Sequence, residues 1–274
     1  RSGLKIPIYG SLMEVSGTKQ WYRAFIQEQV MTNEYGILEA GAAYDYFRGL
    51  SLSADWSLDR IKRSLDASIN PSNGFIIHAR IDLEKNDFIE GLNLSESGTL
   101  LEKFKENNLT RFQVDGSYHY GIPWKKRLTL SLKGHAGWIS NQNVDSFFHF
   151  YLGGIPGMRG YPFYSIQGTK SVLLDATFRM PIFMEKHYKA KWVIFQNSTL
   201  GAVIQVGDAW TDGISIKKSV GIQWRINGFS FYNFPTAIEV EYHQPLDTFI
   251  RDINETTISY GENGRAYVKV LFDF

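Results

Sequence analysis

Four of the six histidines in this 274-residue chain, His78, His119, His135 and His243, lie on the polar side of segments in which apolar and polar residues alternate. Asp55, Asp59, Asp82, Glu84, Asp115, Glu239 and Glu241 share that side. Imidazoles and carboxylates together could hold a metal or move protons. The spacing argues otherwise. No two histidines stand as H-x-H or H-x-x-x-H, and no G-x-S-x-G, P-loop or dinucleotide fingerprint is present. Arg80, Arg111, Lys133, Arg179 and Arg225 fall on the same side, so the carboxylates read as ion-pair partners. No metal, no cofactor and no enzymatic activity are expected.

Arg159 stands apart. It sits in Tyr151-Leu-Gly-Gly-Ile-Pro-Gly-Met-Arg-Gly-Tyr161, where Gly153, Gly154, Pro156, Gly157 and Gly160 let the backbone turn tightly and approach another surface closely. Phe147, Phe148, Phe150, Tyr151, Tyr161, Phe163 and Tyr164 crowd around it. A solvated loop tip has no use for so many aromatics. The loop, about 140–169, is therefore expected to fold inward and pack.

The elements that would carry such a loop are strands. Twelve segments alternate with period two, and no capped amphipathic helix is found. The clearest are 36–47, 50–59, 75–85, 111–122, 127–138, 171–182, 198–207, 216–226, 236–244 and the final stretch 264–274; 4–14 and 20–31 match less well. In the last, Ala266, Val268, Val270, Phe272 and Phe274 fall on one face, and Arg265, Tyr267, Lys269 and Asp273 on the other. Connections at 32–35, 122–126, 183–191 and 227–235 read as short turns on one side. Those at 86–110, 139–170 and 247–263 are mostly longer and belong to the other side. Within 86–110, the Lys/Glu-rich stretch 101–108 reads as a short helical turn.

This pattern fits an antiparallel transmembrane β-barrel of about twelve strands, with apolar faces on lipid and polar faces on a lumen. A soluble sandwich, with a carbohydrate-binding role, would show the same period and stays open here. Mean hydropathy is −0.23. No run of apolar residues is long enough for a transmembrane helix, a test that barrel strands escape. The absence of cysteine excludes disulfides and thiolate metal sites, and a formal net charge of +1 gives no bulk case for nucleic acid.

At the loop the chain resembles an outer-membrane assembly and secretion superfamily, the bacterial surface antigen family that includes BamA, TamA and FhaC. The resemblance rests on Gly153, Gly154, Met158, Arg159, Gly160 and Tyr161, which look like the family's inward-folded loop. Further matches follow in order. Asn70-Pro71-Ser72-Asn73-Gly74 is similar to an N-P-x-x-G turn. Phe178-Arg179-Met180-Pro181-Ile182 is similar to an E-Y-R-F-P segment. Gln205-Val206-Gly207-Asp208-Ala209-Trp210 resembles a D-x-G-x-x-W strand end, Val220–Trp224 the strand after it, and Phe274 the C-terminal targeting signal.

The resemblance covers about 49–274. It implies strands five to sixteen of a sixteen-stranded barrel, with four strands and the periplasmic modules upstream of Arg1 absent, or else a smaller barrel; residues 1–274 would form one barrel domain. It also implies acidic partners for the loop arginine, but Thr177 stands where the family has Glu and Gln205 where it has Asp. Asp175, two positions before Thr177 and on the same face, becomes the expected partner of Arg159, with Thr177 and Gln205 as neutral acceptors. Asp208 has the opposite parity.

The function so implied is insertion or translocation of other polypeptides at the bacterial outer membrane, through a lateral seam. The last strand, with Tyr267, Val268, Val270, Phe272 and Phe274, would form one side of that seam. Outer-membrane lipid, unfolded polypeptides, and lipoprotein or periplasmic proteins are the implied partners, with no nucleic acid. A secretion pore of the FhaC type and a barrel that only anchors another domain remain open beside it.

Overall fold

The computed structural model describes residues 2–33, 36–64, 67, 69–94, 100–123, 128–183, 188–231, 234–253 and 256–272. Its regular elements are strands, paired antiparallel, and one short 3₁₀ turn at Ser146–Phe148. The chain falls into two compact units. The first comprises Arg1–Trp56, Arg80–Phe112 and Ile139–Phe147, and the second Ser57–Ala79, Gln113–Trp138 and Phe148–Phe274. Four of the strands supply residues to both.

The first unit draws on β1 (Ser2–Ile8), β2 (Ser11–Asn33), β3 (Gly36–Asp59), β4 (Gly74–Leu94) and β5 (Leu100–Glu106), and on the start of β6 (Leu109–Gly121) and the end of β7 (Thr129–Ile139). Its strand order is β1-β2-β3-β4, with β5 paired to the C-terminal part of β4, Asp87–Leu94. The second unit contains most of β6 and β7. To these it adds β8 (Phe150–Tyr151), β9 (Gln167–Gly168), β10 (Lys170–Phe183), β11 (Tyr188–Ala190), β12 (Val193–Trp210) and β13 (Lys217–Ser230). The chain closes with β14 (Phe234–Pro245), β15 (Phe249–Ile253), β16 (Thr256–Tyr260) and β17 (Arg265–Phe272). Here the order is β6-β7-β10-β12-β13-β14-β17, while β8 with β9 and β15 with β16 form separate hairpins. Among the described residues β17 pairs only with β14, so its other edge carries no partner strand.

The faces are inverted relative to a soluble sheet protein. On β14, Glu239, Glu241 and His243 are 4%, 1% and 0% exposed, whereas Ile238, Val240 and Tyr242 are 40%, 39% and 46% exposed. The same holds on β13, where Ser219, Gln223 and Arg225 are buried while Val220, Ile222 and Trp224 are open. On β3 and β4, Ser53 and Asp82 are buried and Leu50, Leu52, Ile81 and Leu83 exposed. Two stacked sheets would bring the apolar faces together in a core. They do not meet within either unit.

Several expectations need correction, the first being 4–14, which is the end of β1, a tight turn at Tyr9 and Gly10 and the start of β2. The segments 36–47 and 50–59 form one 24-residue strand, β3. The connection near 32–35 therefore lies at the opposite end of the strands from the side assigned to it. Much of 86–110 is strand instead of loop: β4 runs on to Leu94 and β5 pairs back along it. The stretch expected as a helical turn is thus extended. Its charges pair across strands, Lys103 to Glu90 at 2.6 Å and Glu102 to Arg48 at 2.9 Å, with Arg48 also lying over the Phe104 ring. Cross-strand contacts outweigh the helix propensity of Glu and Lys there.

Candidate functional site: an arginine held between strands

The site is built in the second unit from the segment 148–169. Leu152, Met158, Tyr161 and Ile166 pack with Ala209 into a small buried cluster, closed by Leu173 and Phe249. Hydrogen bonds from Leu152 N–H to Ile166 O (2.9 Å), Gly154 N–H to Tyr161 O (2.9 Å) and Tyr161 N–H to Met158 O (3.1 Å) fold the segment on itself. Gly153 bridges to Met158, and Gly154 has φ 77°, a conformation that costs a side-chain-bearing residue energy. Tyr161 is fully buried. Its hydroxyl lies 2.9 Å from Lys218 O and 3.0 Å from Asp247 O, and burial pushes its pKa up.

Gly160 carries the docking. A Cβ there would stand 2.8 Å from Ser219 Cβ on β13 and 3.2 Å from Pro245 N on β14. Gly160→Val is therefore expected to destabilise the protein by about 1–3 kcal/mol through overpacking. The unfolding midpoint in urea checks this, with Gly213→Ala, where nothing lies within 4 Å, as the unchanged control.

That close approach delivers Arg159 onto the polar face, where it is 9% exposed. Its backbone N–H donates to Gln205 Oε1 at 2.9 Å. Nη2 donates to Asp175 Oδ2, and Nη1 donates to both Glu241 oxygens, at 2.9 and 3.2 Å. Its carbonyl accepts from the Tyr267 hydroxyl at 2.9 Å. One residue of the loop thus touches β10, β12, β14 and β17.

Strand register assembles the receiving groups. Asp175 pairs across to Gln205, and Gln205 to Ser219. Two rows along, past Gly221 and His243, Gln223, Glu241 and Tyr267 stand opposite one another; in the next row stand Arg225, Glu239 and Lys269. Gln205 donates to Asp175 (2.8 Å) and to Gly157 O (2.9 Å), and Thr177 donates to Asp175 Oδ1 at 3.0 Å. Thr177 reaches Arg159 only through that carboxylate. Glu241 additionally accepts from Gln223 at 2.6 Å and from Lys269 at 2.8 Å, and His243 Nε2 lies 3.2 Å away. The Glu241 carboxylate thus has two cationic partners and an amide donor, so its oxygens are not left unpaired in the interior.

Glu241 as a ligand of Arg159 went unforeseen in the sequence, as did the Tyr267 hydroxyl. Parity had placed Glu241 on the right face, but only the register of β14 against β13 brings it level with the loop. Asp208 lies elsewhere and binds Lys217 at 2.6 Å. Of the expected ion pairs, Arg80 meets Asp82, Arg111 meets Glu84 and Arg225 meets Glu239. Arg179 instead donates to Gln223, and Lys133 has no hydrogen-bonded acid among the described residues. Val268, Val270 and Phe272 are exposed on the apolar face of β17, whereas Phe274 lies outside the described residues.

Besides His243, two histidines make side-chain hydrogen bonds between strands. His119 meets Ser131 at 2.8 Å, and His135 joins Asp115 (2.7 Å) to Ser171 (2.9 Å). Asp–His–Ser is the order of an acyl-transfer triad, but Ser171 is 3% exposed within a paired strand, where a substrate has no access to it. The chain of bonds ties β6, β7 and β10 together.

No curated protein matches the chain. A family model described as the Omp85 superfamily domain matches residues 26–227, well over half of the sequence. The match includes the loop with Arg159, together with Asp175 and Gln205, and ends before β14 and β17. This chain belongs to the Omp85 superfamily, an outer-membrane protein assembly and secretion family.

Proposed function

We propose that the protein is an outer-membrane β-barrel that inserts or translocates other polypeptides through a seam beside β17, with the Arg159 loop bracing the lumen. The observation that carries this reading is the pair of bonds from one loop residue to the last two strands of the sheet order, β14 and β17. Arg159 binds Glu241 of β14 and accepts from Tyr267 of β17. The loop is therefore placed to bias the strand whose free edge would receive a substrate. An unpaired strand edge offers backbone N–H and C=O groups to an incoming strand. In hydrocarbon those groups have no water to bind, which drives pairing and needs no nucleotide or metal.

The inverted burial supports the membrane part of the reading. Exposed Leu, Ile, Val and aromatic faces on β10, β12, β13, β14 and β17 suit lipid, and a buried charged face suits a protein-lined lumen. Loss of the family's acidic residues at 177 and 205 is offset in this chain by Asp175 and Glu241, which keep the guanidinium paired.

A photo-cross-linker placed at Val268 or Val270 tests the function in the full-length protein reconstituted in bilayers. With a purified unfolded outer-membrane barrel protein added, adducts to that substrate's strands are expected. Equal labelling from Ile222, away from the edge, would remove the seam. No adduct from a correctly inserted protein would leave a barrel that only anchors another domain.

A further inference from the structure

Two grooves of the first unit meet at Leu50 and Lys85. One, of about 620 Å³, is lined by Gly17, Leu50, Leu52, Leu83 and Leu109 together with Glu84 and Thr110. The other, of about 560 Å³, is lined by Lys19, Trp21, Arg23, Arg48 and Lys85, with Asp45 and Asp87 as its carboxylates. Apolar and cationic grooves joined end to end match an amphiphile, with a hydrocarbon chain in the first and an anionic head in the second.

The cations are not equivalent. Arg23 is held by Asp45 at 2.7 Å, and Arg48 by Asp45 at 3.0 Å and Glu102 at 2.9 Å. Lys85 has no hydrogen-bonded or ion-paired acid among the described residues, and Lys19 meets only the Trp21 ring, at 6.0 Å. On β4 the face that shows Ile81 and Leu83 continues directly into Lys85, while Asp82 and Asn86 point to the buried side. The change from leucine to lysine along one exposed face, flanked by a 63% exposed tryptophan, is how a lipid-facing surface ends at the headgroup layer.

We infer that this double groove is a binding site for a phosphate-bearing lipid, its phosphate held between Lys19 and Lys85 and one chain lying along Leu50, Leu52 and Leu83. Lysine suits this task as a rotatable point charge, and Trp21 supplies an amphipathic wall at the polar–apolar boundary. The inference rests on the membrane reading above and names a specific lipid contact on it.

The test uses the full-length protein in phosphatidylcholine nanodiscs doped with phosphatidic acid, with co-purified lipid counted by native mass spectrometry after detergent extraction. Phosphatidic acid is expected to be retained over phosphatidylcholine. The Lys19→Gln/Lys85→Gln double variant should lose that retention by about tenfold or more. Both lysines are exposed, so unfolding midpoints should not move. Leu83→Ser should weaken retention without altering competition by inorganic phosphate. Equal retention of both lipids, undiminished retention by the double variant, or full displacement by inorganic phosphate would each overturn the site. A chain that does not enter the nanodisc at all would instead overturn the membrane reading.

Discussion

Arg159→Ala is expected to undock the loop and to lower stability by about 3–5 kcal/mol, the range for breaking a buried pair from one side. The cost is unequally shared. Glu241 keeps Lys269 and Gln223 as donors, whereas Asp175 is left with the neutral Gln205 and Thr177. Asp175 therefore bears most of the penalty. Met158, fully buried beside Arg159, reports the change. Its oxidation by peroxide, followed by mass spectrometry, should accelerate roughly 100-fold if the loop opens at a cost about 3 kcal/mol lower. Arg159→Lys should fall between, since one ammonium cannot span two carboxylates on separate strands as the planar fork does. An unchanged oxidation rate would mean that the glycine-rich turn and the Tyr161 cluster hold the loop without the arginine. If the proposed function holds, the Ala variant also loses assembly activity while still inserting into membranes.

Glu241→Gln should have the second large effect, and it should reach the edge strand. Glu241 joins Arg159 of the loop to Lys269 of β17, so neutralising it leaves the buried Arg159 and the half-buried Lys269 with one fewer acid. Stability is expected to fall by about 3 kcal/mol, again by the cost of a broken buried pair. Combined with Arg159→Ala, the two changes should not add; their coupling should be about 1–3 kcal/mol. Amide exchange on β17 should also rise in Glu241→Gln, because Lys269 then has only Glu239, at 3.2 Å. Additive effects, or β17 exchange unaltered, would separate the loop from the strand edge and remove the bracing role.

The long strands were legible because barrel-like strands expose apolar faces without interruption, so period two survives in the sequence. Val220, Ile222 and Trp224 against Ser219, Gln223 and Arg225 show it without any structure. The loop was legible because glycine and arginine in that spacing are rare and specific. Asp175 could be named from parity alone. Glu241 could not, since parity fixes a face and says nothing about height along the wall; height depends on register. The merging of two segments into β3 was also hidden, because Arg48 and Gly49 read locally as a break. They are instead a point where Arg48 turns to Asp45 and Glu102 while the strand continues.

The whole account requires that the exposed apolar faces meet hydrocarbon while the buried polar faces do not. The chain has no cysteine, so single nitroxide labels can be placed without a background. Labels at Ile204, Ile222, Val240 and Val268 in the bilayer-reconstituted protein should be relaxed strongly by oxygen and weakly by a water-soluble nickel chelate. Labels at the neighbouring Gln205, Gln223 and Glu239 should show no such preference for oxygen. Nickel access at the first set equal to that of a surface label would contradict the account.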